Sequence, residues 1–364
     1  MEEYHLVIIW NYVLNQEKEI LSMLQSKFEI IGKIMYRWDE DRAHENFSAF
    51  YGERLDNIDY KVKHCGAGPF EVILIKDYHA QYTIRKTTSG DRQVNANVFD
   101  MKQKMREATG GGHRIHATDD QNEVNQNMAS LFGKSLDEMI PEFQKGDKNY
   151  NRNVSGINGW NSWKEMFETL NIATTYVVLR NYETMEESLN QEHGDTDILV
   201  KDLKTAATLM LAKPKYRGKN RVAYEVTIAG KSCDIDLRFL GDGYYFDKFE
   251  EKILNNREYS EKWQCYIQGE ETLKYSLLYH GMVHKQEISQ DYMKQYIEWF
   301  GTKEIEELQK ELEKYLVQNE YKVTAPKDWS VYINPIYFSQ IEGLNVFRKT
   351  MIKCLKKIRE LKGK

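Results

Sequence analysis

The chain has 364 residues, a length that suggests two domains with room for a C-terminal extension. Hydrophobic residues make up 41% and charged residues 29%, which excludes global disorder, and a net charge of −5 with a pI near 6.1 gives no reason to expect nucleic acid as a partner. Cys65, Cys233, Cys265 and Cys354 form no CxxC or Cys/His cluster; with no signal-peptide pattern and no run near the roughly 20 apolar residues that span a bilayer, a cytoplasmic location is expected.

In chain order, "YHLVIIW" (4–10) predicts a strand and "EKEILSMLQSKF" (17–28) a helix with Ile20, Leu21, Leu24 and Phe28 on one face. "EIIGKIMYRW" (29–38) predicts a strand, "RAHENFSAFYG" (42–52) a helix closed by Gly52, and "PFEVILIKD" (69–77) a buried strand. After a polar stretch come a helix at "VFDMKQKMREA" (98–108), the segment "GGGHRIHATDD" (110–120) and a helix at 121–133 capped by Gly133. This order predicts an α+β sandwich with helices on one face of a mainly antiparallel sheet over residues 1–140.

Residues 141–160 are rich in Asn and Gly, show no periodicity and predict a linker. A second α/β unit, 161–290, is expected to start with the helix "SWKEMFETLNI", then the strand "TYVVLRN" and the segment "EHGDTDILV" (192–200). "AYEVTIAGKSCDIDLRFLG" (223–241) predicts a hairpin about an Ala-Gly-Lys turn. From Phe246 onward the pattern is helical, including 271–288 and 302–319, and residues 291–364 form a helical C-terminal region. There is no internal repeat.

On a strand, residues i and i+2 share a face, so Asp195 and Asp197 project together, as do Asp234 and Asp236. Carboxylates converging from neighbouring strands suit Mg²⁺, or Mn²⁺ in its place, with a nucleotide's phosphates as further ligands. A lone DxD is also what a solvated strand end looks like. Arg180, Lys201 and Arg238 are candidate phosphate partners, or ordinary surface charges. His280 and His284, one turn apart, either face a metal or pack with one hydrogen bond each.

The order helix, "YVVLRN", polar loop, DxD strand and later acid-bearing strand resembles the nucleotidyltransferase superfamily, in particular its bacterial branch with an LRG or LKG, loop, DxDhhV signature. The resemblance covers about 160–290. It implies Leu179, Arg180 and Asn181 as the nucleotide-binding turn, Asp195 and Asp197 as metal ligands, and Asp236, or Asp234, as the third carboxylate. Asn181 stands where that signature has glycine, and Asn is the next most tolerant residue of positive φ. The implied activity is Mg²⁺-dependent nucleotidyl or phosphoryl transfer from a nucleoside triphosphate to a sugar, polyol or glycan-type acceptor, in surface polysaccharide biosynthesis.

The segment "HRIHATDDQNEVNQNMASLFG", with His116 on a strand before a Thr/Asp turn and a helix, resembles the phosphohistidine segment of nucleoside diphosphate kinases. Upstream, "HLVIIW", "FEIIG", "AFYGERL" with Tyr51 and "GPFEVILIKD" follow that family's order over residues 4–133. This implies a ferredoxin-like fold and His116 as a phosphoryl acceptor. Trp10 replaces the catalytic Lys, His113 the Asn before the catalytic His, and Asn127 the orienting Glu, so a retained nucleotide pocket or only the fold is expected over full kinase activity. Arg85, Lys86, Lys104, Arg106 and Arg114 are the residual charge donors, and Gly110–Gly112 either wraps a phosphate or is a flexible loop.

"RKTMIKCLKKIRELKGK" (348–364) carries eight basic residues and one acid with apolar residues at helical spacing. It predicts a terminal helix packed by one stripe, or a basic helix in peripheral contact with an anionic membrane. Two other functional classes stand beside the transferase: a catalytically silent nucleotide-binding or sensor protein, and a phosphotransferase working through His116.

Overall fold

A computed structural model describes residues 1–52, 58–87, 90–146, 148–189, 195–216 and 220–362. Glu53, Arg54 and Leu55 of the Tyr51 segment and Glu192, His193 and Gly194 before Asp195 lie outside the described residues, as do the side chains from 355 onward in the basic terminal helix. The protein is a mixed α+β chain with two compact units, one of residues 1–174, 204–212 and 228–230, the other of residues 175–203, 213–227 and 231–364.

The first unit runs β1 (Glu3–Ile9), α1 (Glu17–Gln25), β2 (Glu29–Arg37), α2 (Ala43–Tyr51), α3 (Ile58–Cys65), β3 (Phe70–Asp77), β4 (Tyr82–Thr87), β5 (Gly90–Asn95), α4 (Ala96–Ala108), β6 (Ile115–Ala117), α5 (Gln121–Phe132), α6 (Leu136–Lys145), β7 (Lys148–Asn151) and α7 (Trp163–Ala173). Its five-stranded sheet has the order β6-β1-β3-β2-β7, with only β2 and β7 parallel. Helices cover both faces, not the one expected. Leu6, Ile8, Val72 and Leu74 pack on Phe47, Val124, Met128 and Phe143, while Val7, Ile9, Ile73 and Ile75 pack on Ile20, Leu24, Val98 and Met101. The cause is visible in the runs "HLVII" and "FEVILI": alternate residues point to opposite faces, so an unbroken apolar strand needs cover on both.

The stretch expected as a linker is also structured. Ser135 opens α6 with a capping box, and β7 adds to the sheet edge with Tyr150 opposite Tyr36, their rings stacked at 6.0 Å. Asn and Gly obscured this because a short, half-exposed edge strand needs little apolar periodicity. The polar stretch after β3 is the β4–β5 hairpin.

The second unit contains β8 (Tyr176–Arg180), α8 (Met185–Ser188), β9 (Thr196–Val200), α9 (Leu203–Met210, most of which clusters with the first unit), β10 (Lys213–Pro214), β11 (Ala223–Ile228), β12 (Lys231–Phe239), α10 (Asp247–Asn255), β13 (Arg257–Ser260), β14 (Cys265–Gln268), α11 (Glu270–Tyr279), α12 (Gln290–Phe300), α13 (Ile305–Gln318) and α14 (Val346–Lys362). Its sheet order is β10-β11-β12-β9-β8-β14-β13. The expected hairpin turns on Ala229 and Gly230, both at positive φ (49° and 76°), the requirement of a two-residue turn matched to strand twist. The purely helical pattern expected after Phe246 is interrupted by β13 and β14, whose four-residue strands are too short for a clear period-2 signal. The helix expected to reach 288 ends at Tyr279 and passes into a π-helical turn, His280–His284. Gly281 lets α12 approach there, since a Cβ would stand 2.1 Å from the Tyr296 hydroxyl. No helix among the described residues is long and apolar enough to cross a membrane.

Candidate functional site

β9 runs antiparallel to β8 and parallel to β12, and the parallel register sets Asp197 opposite Asp236. Strand pairing therefore brings Asp236 alongside the DxD strand. Asp195 stands exposed just before the first residue of β9, whereas Asp197 is 6% exposed. Asp234 lies two residues earlier on β12, with its carboxylate 2.5 Å from Lys215 Nζ, so Asp236 is the member aligned with the pair. Burial, and then Asp197 and Asp234, push the Asp195 carboxyl above its usual range. Burial pushes Asp236 up to about 6; Arg238 opposes this while Asp197 and Asp195 add to it. Mutual repulsion among these carboxylates is what an oxygen-seeking divalent cation would relieve.

Among the described residues, no three His, Cys, Asp or Glu side chains are grouped as a metal cage. Arg180 occupies the most buried of Asp195, Asp197 and Asp236. Its Nε and Nη2 donate to Asp197 Oδ2 and Oδ1 at 2.7 and 2.9 Å, a bidentate pair that occupies the carboxylate. Burial works against the guanidinium charge, but Asp197, Tyr244 and Tyr245 together outweigh it and raise the Arg180 pKa. The donor set fits a hard cation in kind, with Asp195 free of an arginine, Asp236 bonded by Arg238 at 3.2 Å and Asp197 held by Arg180.

Tyr244, which no spacing in the sequence ties to the acids, organises the surrounding charges. Its hydroxyl accepts from Arg180 Nη2 at 3.0 Å and bonds His280 Nδ1. Arg238 lies 4.0 Å from the centre of its ring, and the His284 ring is 4.3 Å from it. Arg238 also reaches Asp236 at 3.2 Å and Asp242 at 3.8 Å. Burial first, then Arg180 near His280 and Arg238 near His284, lowers both histidine pKa values well below the usual range, so both are neutral core groups. His280 has the single hydrogen bond expected of a packed histidine; both ring nitrogens of His284 are buried without a partner among the described residues.

Asn181 adopts the left-handed conformation (φ 64°) where the motif has glycine, and its side-chain amide donates to the Asp195 carbonyl at 3.0 Å. Leu179 is a core residue whose carbonyl accepts from Gln268; its side chain is not placed as a ligand. Lys201 is not brought to the acids: it follows Val200 beyond the far end of β9, four residues and about 13 Å along the strand from Asp197.

In the first unit His116 lies on β6, 7% exposed. Asn127 Nδ2 is 2.9 Å from its Nε2, Glu123 Oε1 is 3.9 Å away, and the rings of Phe50 and Tyr51 meet it edge-on. Burial, then Lys102, Lys61 and Arg106, lowers the His116 pKa well below the usual range, leaving a neutral imidazole. Lys61 is 6% exposed, sits 3.7 Å over the Tyr51 ring, and among the described residues has neither ion pair nor hydrogen bond. Burial lowers its pKa to about 8. Lys102 is anchored to the Ala117 carbonyl and to Asp119. Neither lysine was singled out from the sequence, yet the signal exists. Ile58, Lys61, Val62 and Cys65, like Val98, Met101, Lys102 and Met105, have the spacing of one helix face, so each lysine interrupts an inward stripe.

Arg106 donates Nε to the Ile115 carbonyl. Arg114 is turned to Thr109 and to the Tyr12 ring, Arg85 pairs with Asp100, and Lys86 and Lys104 are exposed. Gly110, Gly111 and Gly112 all have positive φ. The N–H groups of the first two bond the α4 carbonyls of Glu107 and Arg106, so they cap a helix and are not free to wrap a phosphate.

No family model and no curated protein matches the chain. Among solved structures it has a weak similarity to a nucleoside diphosphate kinase from Aquifex aeolicus, at 15% identity, covering 35% of this chain and 93% of that one, with a TM-score of 0.24.

Proposed function

We propose that the protein is a divalent-cation-dependent nucleotidyl- or phosphotransferase centred on Asp195, Asp197 and Asp236. The observation that carries this reading is the parallel register of β9 and β12, which sets Asp236 beside Asp197. In this reading Mg²⁺ or Mn²⁺ is held by Asp195 and Asp236, and by Asp197 when Arg180 releases it. The bound cation supplies Lewis-acid charge to the phosphates of a nucleoside triphosphate. Arg180 and Arg238, already fixed around Tyr244, stabilise negative charge that develops as the phosphorus–oxygen bond breaks. Asn181 shapes the turn beside Asp195. A sugar, polyol or glycan-type acceptor, surface polysaccharide synthesis and a cytoplasmic place of action complete the proposal. The antiparallel β8–β9 pair flanked by parallel β12 supports a nucleotidyltransferase-type sheet for the second unit, and the β6-β1-β3-β2 order supports a ferredoxin-like core for the first.

A second reading is favoured by one observation, the buried neutral His116 imidazole within the electrostatic reach of Lys102, Lys61 and Arg106, of which Lys61 is buried with no ion pair among the described residues. A buried cation without a counter-ion suits a phosphate group, so in this reading the first unit either binds a nucleotide or carries a phosphoryl group on His116. Thermal unfolding of wild type, Asp195→Asn and His116→Ala against nucleoside triphosphates, with and without Mg²⁺, tests both readings. Ligand at about 100 times its Kd stabilises by about 2.7 kcal/mol. The transferase reading expects a Mg²⁺-dependent shift lost in Asp195→Asn. A shift lost only in His116→Ala moves the function to the first unit, and no shift with any nucleotide defeats both.

A further inference from the structure

The chain has seven tryptophans, and Trp329 is the most exposed, at 47%. It lines a cavity of about 550 Å³ in the second unit together with Asn220, Arg221, Lys327, Asp328 and Ser330. A single exposed aromatic is ordinary on a protein surface, and Trp329 draws notice only because it lines this depression beside cations and a second exposed ring. The rim adds Phe347, 70% exposed, whose ring centre is 6.2 Å from that of Trp329 at an interplanar angle of 44°.

The wall is built on fixed groups. Arg348, 3% exposed, donates to the Pro326 and Asp328 carbonyls. The Asp328 carboxylate, 4% exposed, accepts from Ser330 N and Oγ at 2.8 and 2.7 Å and from Arg221 Nη1 at 3.3 Å. Lys327 N donates to the Asp242 carbonyl at 2.7 Å. The cavity also adjoins the acidic strand: Leu237 N donates to the Val222 carbonyl at 2.8 Å, so Arg221 and Asp236 each lie one residue from that bond.

The lining selects chemistry. Asp328 is satisfied within the wall, and Lys327 is exposed with no carboxylate partner among the described residues. With Arg221 it leaves net positive charge suited to a phosphate. Asn220 and Ser330 offer hydroxyl-matching groups. The Arg348 guanidinium stands 5.8 Å from the centre of the Trp329 ring and Phe347 meets that ring at a tilt, so no second aromatic lies parallel to it, which suits the C–H face of a saturated ring more than a nucleobase held between two aromatics. We propose that this cavity is the acceptor subsite and takes a phosphorylated sugar or polyol. Its role as acceptor site rests on the transferase reading; its ligand chemistry does not.

The test labels the full chain with 5-fluorotryptophan, assigns the Trp329 ¹⁹F resonance with Trp329→Phe, and titrates glucose 1-phosphate, glucose, orthophosphate and ATP without metal. The expected result is a Trp329 shift with glucose 1-phosphate that the other three do not match at equal concentration. Arg221→Gln and Lys327→Gln should each weaken it about tenfold, the loss of one charge-assisted hydrogen bond. An unmoved Trp329 resonance overturns the proposal, as does equal or tighter binding of ATP or orthophosphate, or ligand-free broadening with protein concentration that makes the platform a seat for a second copy. Separately measured Mg²⁺–nucleotide binding keeps the failures apart. If it is present and Trp329 is silent, the subsite is wrong and the transferase reading stands; if it is absent and Trp329 responds, the cavity stands and the transferase reading falls.

Discussion

Replacing Arg180 by Met tests whether the acidic centre is held by an internal counter-ion. Arg180 and Asp197 side chains are only 11% and 9% exposed, so solvent cannot compensate for a lost partner as it does for a surface pair. Removing one member leaves a buried carboxylate that loses two charge-assisted hydrogen bonds, a change that costs about 3–5 kcal/mol. Urea unfolding at neutral pH should therefore show a lower midpoint with little change in slope. In an Asp197→Asn background no buried charge is left over, and Arg180→Met should cost at least about 2 kcal/mol less than in wild type. Mg²⁺ should recover part of the loss in Arg180→Met, because the cation can take the place of the guanidinium beside Asp197. A loss within about 1 kcal/mol, the scale of an exposed ion pair, or an equal loss in the Asp197→Asn background, would refute the reasoning.

Three further outcomes follow from the buried charges and from one close contact. Asp236 is raised from 3.8 to about 6, so the folded state holds its proton more tightly than the unfolded chain; stability should fall as pH rises between these values, by on the order of 3 kcal/mol at most, and Asp236→Asn should flatten that limb of a pH series of urea midpoints. Lys61 is lowered from 10.5 to about 8, so the folded state releases its proton first and stability should rise with pH through that window; Lys61→Met should raise the neutral-pH unfolding free energy by about 1–3 kcal/mol and abolish the rise, and an unchanged profile would show that the ammonium is not buried unpaired. A Cβ on Gly32 would stand 2.0 Å from the Phe143 carbonyl oxygen, so Gly32→Ala should cost about 3 kcal/mol by forcing α6 off β2, read by calorimetry, whereas a loss below about 0.5 kcal/mol would place α6 farther from the sheet.

What was legible in the sequence follows the range over which each signal acts. The DxD pair and its apolar strand could be read locally, as could the Ala229–Gly230 turn, because two-residue turns have narrow backbone requirements. Which of Asp234 and Asp236 aligns with Asp197 depended on register between strands whose paired residues lie 39 apart in the chain, and pairing to β9 aligns Asp236. Arg180 was legible as a candidate phosphate partner but not as the partner of Asp197, since a bidentate pair depends on how β8 and β9 are offset across their bulge. Tyr244 was invisible because nothing in "GDGYYFDKF" announces that one tyrosine hydroxyl will meet an arginine on another strand. The polar hairpin β4–β5 and the edge strand β7 were missed for a common reason: neither buries enough apolar surface to impose a period on its sequence.

The most direct measurement is a Mn²⁺ titration of wild type, Asp195→Asn and Asp236→Asn, with free Mn²⁺ followed by electron paramagnetic resonance above pH 7, where Asp236, raised to about 6, is ionised. The account predicts saturable binding by wild type that each single substitution weakens about tenfold or more, since each removes one charged oxygen ligand. Binding that is absent in wild type, or equal in all three proteins, would contradict an acidic cation centre on β9 and β12.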